Sequence, residues 1–252
     1  MEVDKLTKNH VIKSYECNGN GTLRIPTLMN MFQDIAYNHA DILGVGFDLC
    51  QSLGMTWVSV GYNIVIDRMP GNDEIINIIS WPSKTKAVVA IREFLITDQN
   101  DNVIIKASSQ WAVIDLIRKR PLILRDRFSN YPVISERAID TDFPKIPHLD
   151  RIDIISKFTV RYDDIDPNNH VNNSLYPLWA SENVDNKFRL SHTPKQIDIS
   201  FKSEGRFGEN IEVSGKIDRK TSYHVIKANE RPEELSRVKI VWKLISESER
   251  LK

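Results

Sequence analysis

The chain has 252 residues, 41% apolar and 27% charged, ordinary usage for a globular protein long enough to bury a core. Lys+Arg 34 balances Asp+Glu 34, so a nucleic-acid-binding or membrane-surface protein finds no support in charge, and a polyanionic partner would need a local patch. No run approaches the roughly 18 apolar residues of a membrane span.

The opening stretch, "MEVDKLTKNHVIKSYEC", lacks both the apolar segment of a signal peptide and the Arg/Ser-rich lead of a transit peptide. Cys17 and Cys50 form no CxxC and no metal cluster. A reduced, cytoplasmic and bacterial setting is therefore expected. Pro26 followed by "TLMNMFQDIAYNHADILG" predicts a helix. Proline suits its first turn, Gly44 suits its stop, and Leu28, Phe32, Ile35, Ala36, His39 and Leu43 share one stripe. Four strand-like runs follow, "MTWVSVGYNIVI", "EIINIISW", "AVVAIREFLIT" and "VIIKASSQWAVIDL", with "GND" and "DQND" as turns. One helix with several antiparallel strands predicts an α+β layer.

From Arg118 to about Ser156 the pattern breaks at Pro121, Pro132, Pro144 and Pro147. This reads as a linker, packed across the sheet through Leu122, Leu124, Phe128 and Ile146. The second half then echoes the first. Tyr15 in "IKSYECNGNGT" matches Tyr162 in "TVRYDDIDPNN", Gly71 in "RMPGNDEI" matches Gly208 in "GRFGENI", and Trp111 in "QWAVI" matches Trp242 in "VWKLI". Three correspondences in one order, with shrinking offsets, predict two similar helix-on-sheet units in tandem. The bounds are 1–120, a linker over 121–155, and 156–252.

The chemistry gathers in Asp163 to Asn173, "DDIDPNNHVNN". Asp164-x-Asp166-x-Asn168 opens like an EF-hand loop, but Asn169 and Leu175 stand where that loop needs glycine and glutamate. Asn172-Asn173-Ser174 is formally a glycosylation sequon, without the secretory signal that would expose it to modification. An Asx-rich turn into a helix cap remains the plain alternative. Against it, the first copy reads "ECNGNGTLRIP" at the matching place, with one carboxylate and no histidine, so the fold does not need the cluster. "SLYPLWASENVDNKF" then has helical spacing in Leu175, Leu178, Trp179 and Val184, with Pro177 in the first turn. The loop would thus deliver Asp166, Asn168 and His170 to a helix N-terminus, whose free N–H groups suit an oxyanion. Carboxylate, amide and imidazole together define a candidate hydrolytic site.

These residues carry a resemblance. "YDDIDPNNHVNNSLYPLWASEN" resembles the hot-dog thioesterase signature D-x-D-x-N-x-H-V-N-N-x-x-Y. From about His10 to Ile245 the chain is similar to acyl-[acyl carrier protein] thioesterases of the plant FatA/FatB type and their bacterial relatives. "SYECNGNGTLRIPTLMNMFQDIAYNH", "WVSVGYNIVIDRMP" and "KASSQWAVIDLIRKRP" carry the N-terminal half. The resemblance implies two tandem hot-dog domains forming a pseudo-dimer, with the acyl chain in the first and the chemistry in the second. It implies hydrolysis of acyl-acyl carrier protein to free fatty acid and holo-carrier. By motif position the catalytic group is Asp166, Asn168 and His170, joined by Glu204 in "ISFKSEGRFGENI". No metal and no cofactor is implied. Plant members carry Glu-Cys in that last segment, whereas Gly205 follows Glu204 here, which excludes a Cys-His mechanism at that position.

Asp166 is read as the central carboxylate, as base or nucleophile, and Glu204, from a facing strand, as positioning or deprotonating the water, with the division of roles between the two carboxylates open. Asn168 orients a carboxylate or the carbonyl, His170 bonds the carbonyl or Asn168, and N–H groups of Val171 to Asn173 hold the oxyanion. Asp164 and Asn173 read as loop and cap supports, Glu182 as a surface or supporting group, and His39 as a core histidine. Met29, Phe32, Met55 and Trp57 are candidate acyl-lining residues, equally explained by core packing. Arg118 and Arg120, with Lys119, Arg125 and Arg127, form a solvated linker or a docking patch for an acidic carrier protein. The protein is expected as monomer or homodimer. The alternatives are an acyl-CoA thioesterase of the same fold, a hot-dog hydratase, whose pattern has a different Asp-to-His spacing and lacks "HVNN", and a non-catalytic acyl-thioester binder, which would have no reason to keep Asp166, Asn168, His170 and Glu204 together.

Overall fold

The computed structural model describes residues 4–128, 130–140 and 142–245. The outer ends of the two expected units, 1–3 and 246–252, and linker positions 129 and 141, lie outside the described residues. Strand β1 (Leu6–Val11) leads through a short 3-10 turn to helix α1 (Ile25–Ile42) and helix α2 (Phe47–Ser52). Strands β2 (Met55–Ile66), β3 (Ile75–Lys86), β4 (Val89–Asp98) and β5 (Val103–Asp115) follow. After a one-turn helix α3 (Leu124–Arg127) come β6 (Ile154–Thr159), α4 (Leu175–Glu182), α5 (Asn186–Arg189), β7 (His192–Phe201), β8 (Asn210–Asp218), β9 (Thr221–Ala228) and β10 (Glu234–Leu244).

All ten strands form one antiparallel sheet in the order β1-β3-β4-β5-β2-β7-β10-β9-β8-β6. Its halves meet where β2 pairs with β7, with Asn63 opposite Asp198. Gly61 is needed at this seam, because a Cβ there would lie 2.4 Å from the Ile199 carbonyl oxygen. Helix α1 buries Ile25, Leu28, Met29, Phe32, Ile35, Ala36 and His39, the apolar stripe of its sequence, and packs on β3. Helix α4 packs on β8, β9 and β10 and touches α1, so residues of both halves share one core.

The predicted second helix stops early. Asn183 turns inward, its amide donating to Ser156 Oγ (2.8 Å) and the Val213 carbonyl (3.1 Å), while its Oδ1 pairs with His224 Nδ1 (3.0 Å). Asp185 then caps α5 by accepting from the N–H groups of Lys187 and Phe188. The described residues between β5 and β6 cross the sheet, with Leu124, Phe128 and Ile146 buried, and β6 begins at Ile154, inside the expected linker 121–155. Trp81 donates to the Glu136 carbonyl at 2.8 Å, and Arg137 pairs with buried Glu93 at 2.5 Å.

The internal repeat is real in the backbone, in a register different from the one its aromatic match suggests. Cys17 bridges Leu23 as Ile165 bridges Val171, 148 residues on. Glu16 accepts from the Lys13 N–H as Asp164 accepts from the Arg161 N–H, at the same offset. Tyr162 therefore corresponds to Ser14, and Tyr15 to Asp163. Gly71 likewise corresponds to Arg206, since their N–H groups donate to Glu74 and Glu209 in turn, and Gly208 corresponds to Asp73. Trp111 and Trp242 do correspond, each facing a one-residue bulge, at Val60 in β2 and Lys195 in β7.

Candidate active site

The loop before α4 is built from its own short side chains. Asp164 is buried and accepts from the Arg161 N–H (2.8 Å) and from its guanidinium (2.9 and 3.2 Å). Asp166 Oδ1 accepts from the N–H of Asn168 (2.9 Å) and of His170 (3.3 Å), and its own N–H donates to the His170 carbonyl (2.8 Å). Asn169 sits at φ 62°, in the left-handed region that asparagine tolerates. In the first copy Asn18 Oδ1 accepts from the N–H groups of Asn20 (2.9 Å) and Thr22 (3.3 Å), and Gly21 takes the left-handed position. One backbone scaffold thus carries Asn18, Asn20 and Thr22 in one unit and Asp166, Asn168 and His170 in the other. The scaffold is architectural; the second carboxylate oxygen and the imidazole are not.

Glu204 lies beyond the end of β7, on a strap over 202–209, rather than on a facing strand as expected. Its Oε2 is 2.9 Å from His170 Nε2, with about a third of the histidine side chain and over half of the glutamate side chain open to solvent. Imidazole and carboxylate are thus paired where a substrate can reach them. Asp166 Oδ2 meets the Asn168 amide at 3.4 Å, a long contact. The four expected catalytic residues form two pairs, Asp166 with Asn168 and His170 with Glu204. His170 bonds neither Asn168 nor its amide neighbours through its side chain but the strap carboxylate.

The expected oxyanion donors change too. The Val171 N–H donates to the Gly205 carbonyl and the Asn172 N–H to the Asp164 carbonyl, both at 2.9 Å. Of the three N–H groups from Val171 to Asn173, only that of Asn173 has no partner among the described residues.

The strap is pinned from several sides. Lys202 and Ser203 N–H groups donate to the Leu235 carbonyl, and the Gly205 N–H donates to buried Tyr176 Oη at 2.9 Å. Burial pushes the Tyr176 phenol well above its ordinary range, so it stays a neutral hydroxyl. A Cβ on Gly205 would lie 2.8 Å from Val171 Cγ2 and 3.1 Å from Tyr176 Oη, which gives glycine a packing reason there. Arg231, in the turn between β9 and β10, bonds the Glu204 carbonyl. Tyr176 stands in the quoted motif and Gly205 beside Glu204, yet nothing in the sequence links the two across 29 residues; Arg231 leaves no sequence signal at all.

Both thiols lie in the other half. Cys17 and Cys50 are buried; burial raises the Cys17 thiol, and pushes that of Cys50 up to about 11. No group of three metal-binding side chains occurs among the described residues. His39 is buried on α1 against Arg92 Nη1 (3.1 Å), and burial holds its pKa at about 4. Glu182 forms a surface pair with Arg189. Met29 and Phe32 lie in the main core, while Met55 and Trp57 belong to a second cluster with Val45, Cys50, Leu124 and Phe128. Trp57 stacks on Phe128 with ring centres 5.6 Å apart. Arg118 and Arg120 are exposed in the turn that ends β5, beside exposed Ile117.

A sheet of two repeated halves with a helix on each, and a polar loop entering one helix, defines a tandem hot-dog protein. Solved structures share this fold over nearly the whole chain. A provisionally assigned oleoyl thioesterase from Lactobacillus plantarum is 27% identical, with a TM-score of 0.86, covering 97% of this chain and 98% of its own. An acyl-ACP thioesterase from Bacteroides thetaiotaomicron shows the same fold at 22% identity and TM-score 0.86, covering 95% of this chain and 98% of its own. The acyl-ACP thioesterase N-terminal domain family matches residues 3–131 and the C-terminal domain family residues 148–244. The chain belongs to the acyl-ACP thioesterase family. A chloroplastic palmitoyl-acyl carrier protein thioesterase from Cuphea hookeriana is 32% identical over 191 residues, 70% of this chain and 46% of that protein. The chain spans about half the length of this and other curated relatives it matches.

Proposed function

We propose that the protein hydrolyses the thioester of acyl-[acyl carrier protein], releasing free fatty acid and holo-carrier in fatty acid biosynthesis, without a cysteine nucleophile. The observation that carries this reading is the His170–Glu204 pair, 2.9 Å apart, beside a loop whose twin in the first copy lacks both the imidazole and the second carboxylate oxygen. In the proposed reaction Glu204, oriented by the His170 Nε2–H, takes one proton from a water molecule. The water oxygen forms a bond to the thioester carbonyl carbon. Negative charge moves to the carbonyl oxygen, opposite the Asn173 N–H and the Asn168 amide. Collapse breaks the C–S bond, and the departing thiolate takes up the proton held by Glu204. A thiol of pKa about 8.5 leaves readily, so activating the water and holding the oxyanion matter more than protonating sulfur. Asp166 contributes the fixed charge of Oδ2 beside the Asn168 amide.

The division of labour places the acyl chain in the N-terminal unit, 1–120, with Met29, Phe32, Met55 and Trp57 along its apolar interior, and the chemistry in 156–252. The exposed Arg118, Lys119 and Arg120 suit an acidic carrier protein. Reversing charge at Arg118 and Arg120 raises KM for acyl-acyl carrier protein while leaving a small thioester unaffected; an equal rise for both would end the docking role. No described helix is long and apolar enough to cross a membrane. The catalytic assignment is tested by following thiol release in Glu204→Gln and His170→Ala. Each loses about 10²-fold or more in kcat with folding intact, and turnover near that of the parent in either variant rejects its role.

A further inference from the structure

The strap that carries Glu204 has a counterpart in the first copy, and the two are held by arginines from different places. In the first copy Arg68, on the strap itself, forks onto Glu74 through Nη1 (3.0 Å) and Nη2 (2.6 Å). Glu74 corresponds to Glu209, and Arg68 to Ser203. With serine at that position, Glu209 takes its arginine from across the site. Arg231, in the turn between β9 and β10, donates from Nη2 to Glu209 at 3.0 Å, its Nε lying 3.0 Å from the same carboxylate without a hydrogen-bond alignment. From there the same guanidinium reaches what Arg68 has no contact with, the backbone of the neighbouring residues. Its Nη2 bonds the Glu204 carbonyl, and its Nη1 lies 3.4 Å from Ser203 Oγ. Five donors in one rigid fork make this possible, and a lysine ammonium cannot occupy all three positions at once.

We infer that Arg231 is a positioning residue, fixing the 204–205 peptide so that the Glu204 carboxylate meets His170. The inference rests on the proposed role of Glu204. The peptide that follows that side chain is anchored at both of its polar groups: Arg231 on the Glu204 carbonyl, and Tyr176 on the Gly205 N–H. A strap residue whose side chain is more than half exposed has little packing of its own to orient it, so the backbone anchors set its direction. The relocated arginine accompanies the His170–Glu204 pair and is absent where the equivalent strap position is Met69.

The test is a double-mutant cycle on thiol release from acyl-acyl carrier protein, using Arg231→Lys, Arg231→Gln and Glu204→Gln. Arg231→Lys keeps a cation for Glu209, so its thermal unfolding midpoint stays near the parent's. Its kcat falls about 10- to 100-fold from misplacement of the carboxylate, while KM moves by less than about threefold. In the Glu204→Gln background, either change at Arg231 costs nothing further, because the group it positions is already gone. A parental kcat in Arg231→Lys, or the same fold-loss in both backgrounds, overturns the positioning role. Should Glu204→Gln itself turn over like the parent, the catalytic reading fails first and this inference falls with it.

Discussion

In Asp166 the atom that builds the loop differs from the one available to the proposed chemistry. Its Oδ1 is engaged by two N–H groups, as Asn18 Oδ1 is in the other unit. Asparagine therefore builds the same turn, and Asp166→Asn removes only charge. The variant is expected to keep its unfolding midpoint and circular dichroism spectrum while kcat falls at least tenfold; turnover near the parent's would reduce Asp166 to a loop-former. The candidate residues of the loop are legible in the sequence because Asp, Asn and His at alternate positions are chemically conspicuous. What was not legible is which atoms face each other. The pairing of His170 with Glu204 spans 34 residues and depends on a strap held by Tyr176, Arg231 and the Leu235 carbonyl. The repeat register was misleading for the same reason. Tyr15 and Tyr162 look alike but are both largely exposed, so nothing in packing holds them equivalent, whereas the less conspicuous Cys17 and Ile165 share a backbone bridge position.

Among the elements, α1 and β2 were readable in full because one pattern governs each: an apolar stripe behind Pro26, and a β-branched, aromatic run from Met55 to Ile66. Helix α4 ends sooner than its spacing predicts, since Val184 falls on the same stripe yet lies beyond Glu182. The break comes from tertiary hydrogen bonds of Asn183, which compete with helix continuation and leave no local signal. The β2–β7 seam holds the two halves in one sheet, and Gly61 lets the strands approach. Replacing it with alanine forces the Cβ against the Ile199 carbonyl, and Gly61→Ala is expected to cost about 1–3 kcal/mol of unfolding free energy. Denaturant titration checks this, and an unchanged midpoint would show that the seam relaxes freely.

For the folded chain as a unit, acid sensitivity is set first by histidines. Burial holds His224 at about 3 and His39 at about 4, so both stay neutral in the fold, while an unfolded histidine protonates near pH 6.5. The folded pKa values are depressed, so the stabilising difference is intact above about pH 6.5 and is lost as pH falls through the window toward 4 and 3. Depressed carboxylates such as Glu234, held at about 2 by hydrogen bonds from Arg237 and Lys202, add their loss only below about pH 4.5. Thermal unfolding midpoints should therefore fall between pH 6.5 and 5, and His224→Gln, less stable at pH 7.5, should fall less steeply. Parallel slopes for the two proteins would remove His224 from that role.

The duplicated sheet leaves one unit free to specialise: Asn18 and Thr22 keep the loop folded in the first copy, where the second carries the proposed catalytic Asp166 and His170. The decisive measurement is thiol release by the full chain from matched C8 to C18 acyl-acyl carrier protein and acyl-CoA substrates. Hydrolysis of acyl-acyl carrier protein with higher kcat/KM than the corresponding acyl-CoA, abolished in Glu204→Gln, is the predicted result. Binding of acyl-acyl carrier protein without release of thiol, or release undiminished in Glu204→Gln, would contradict it.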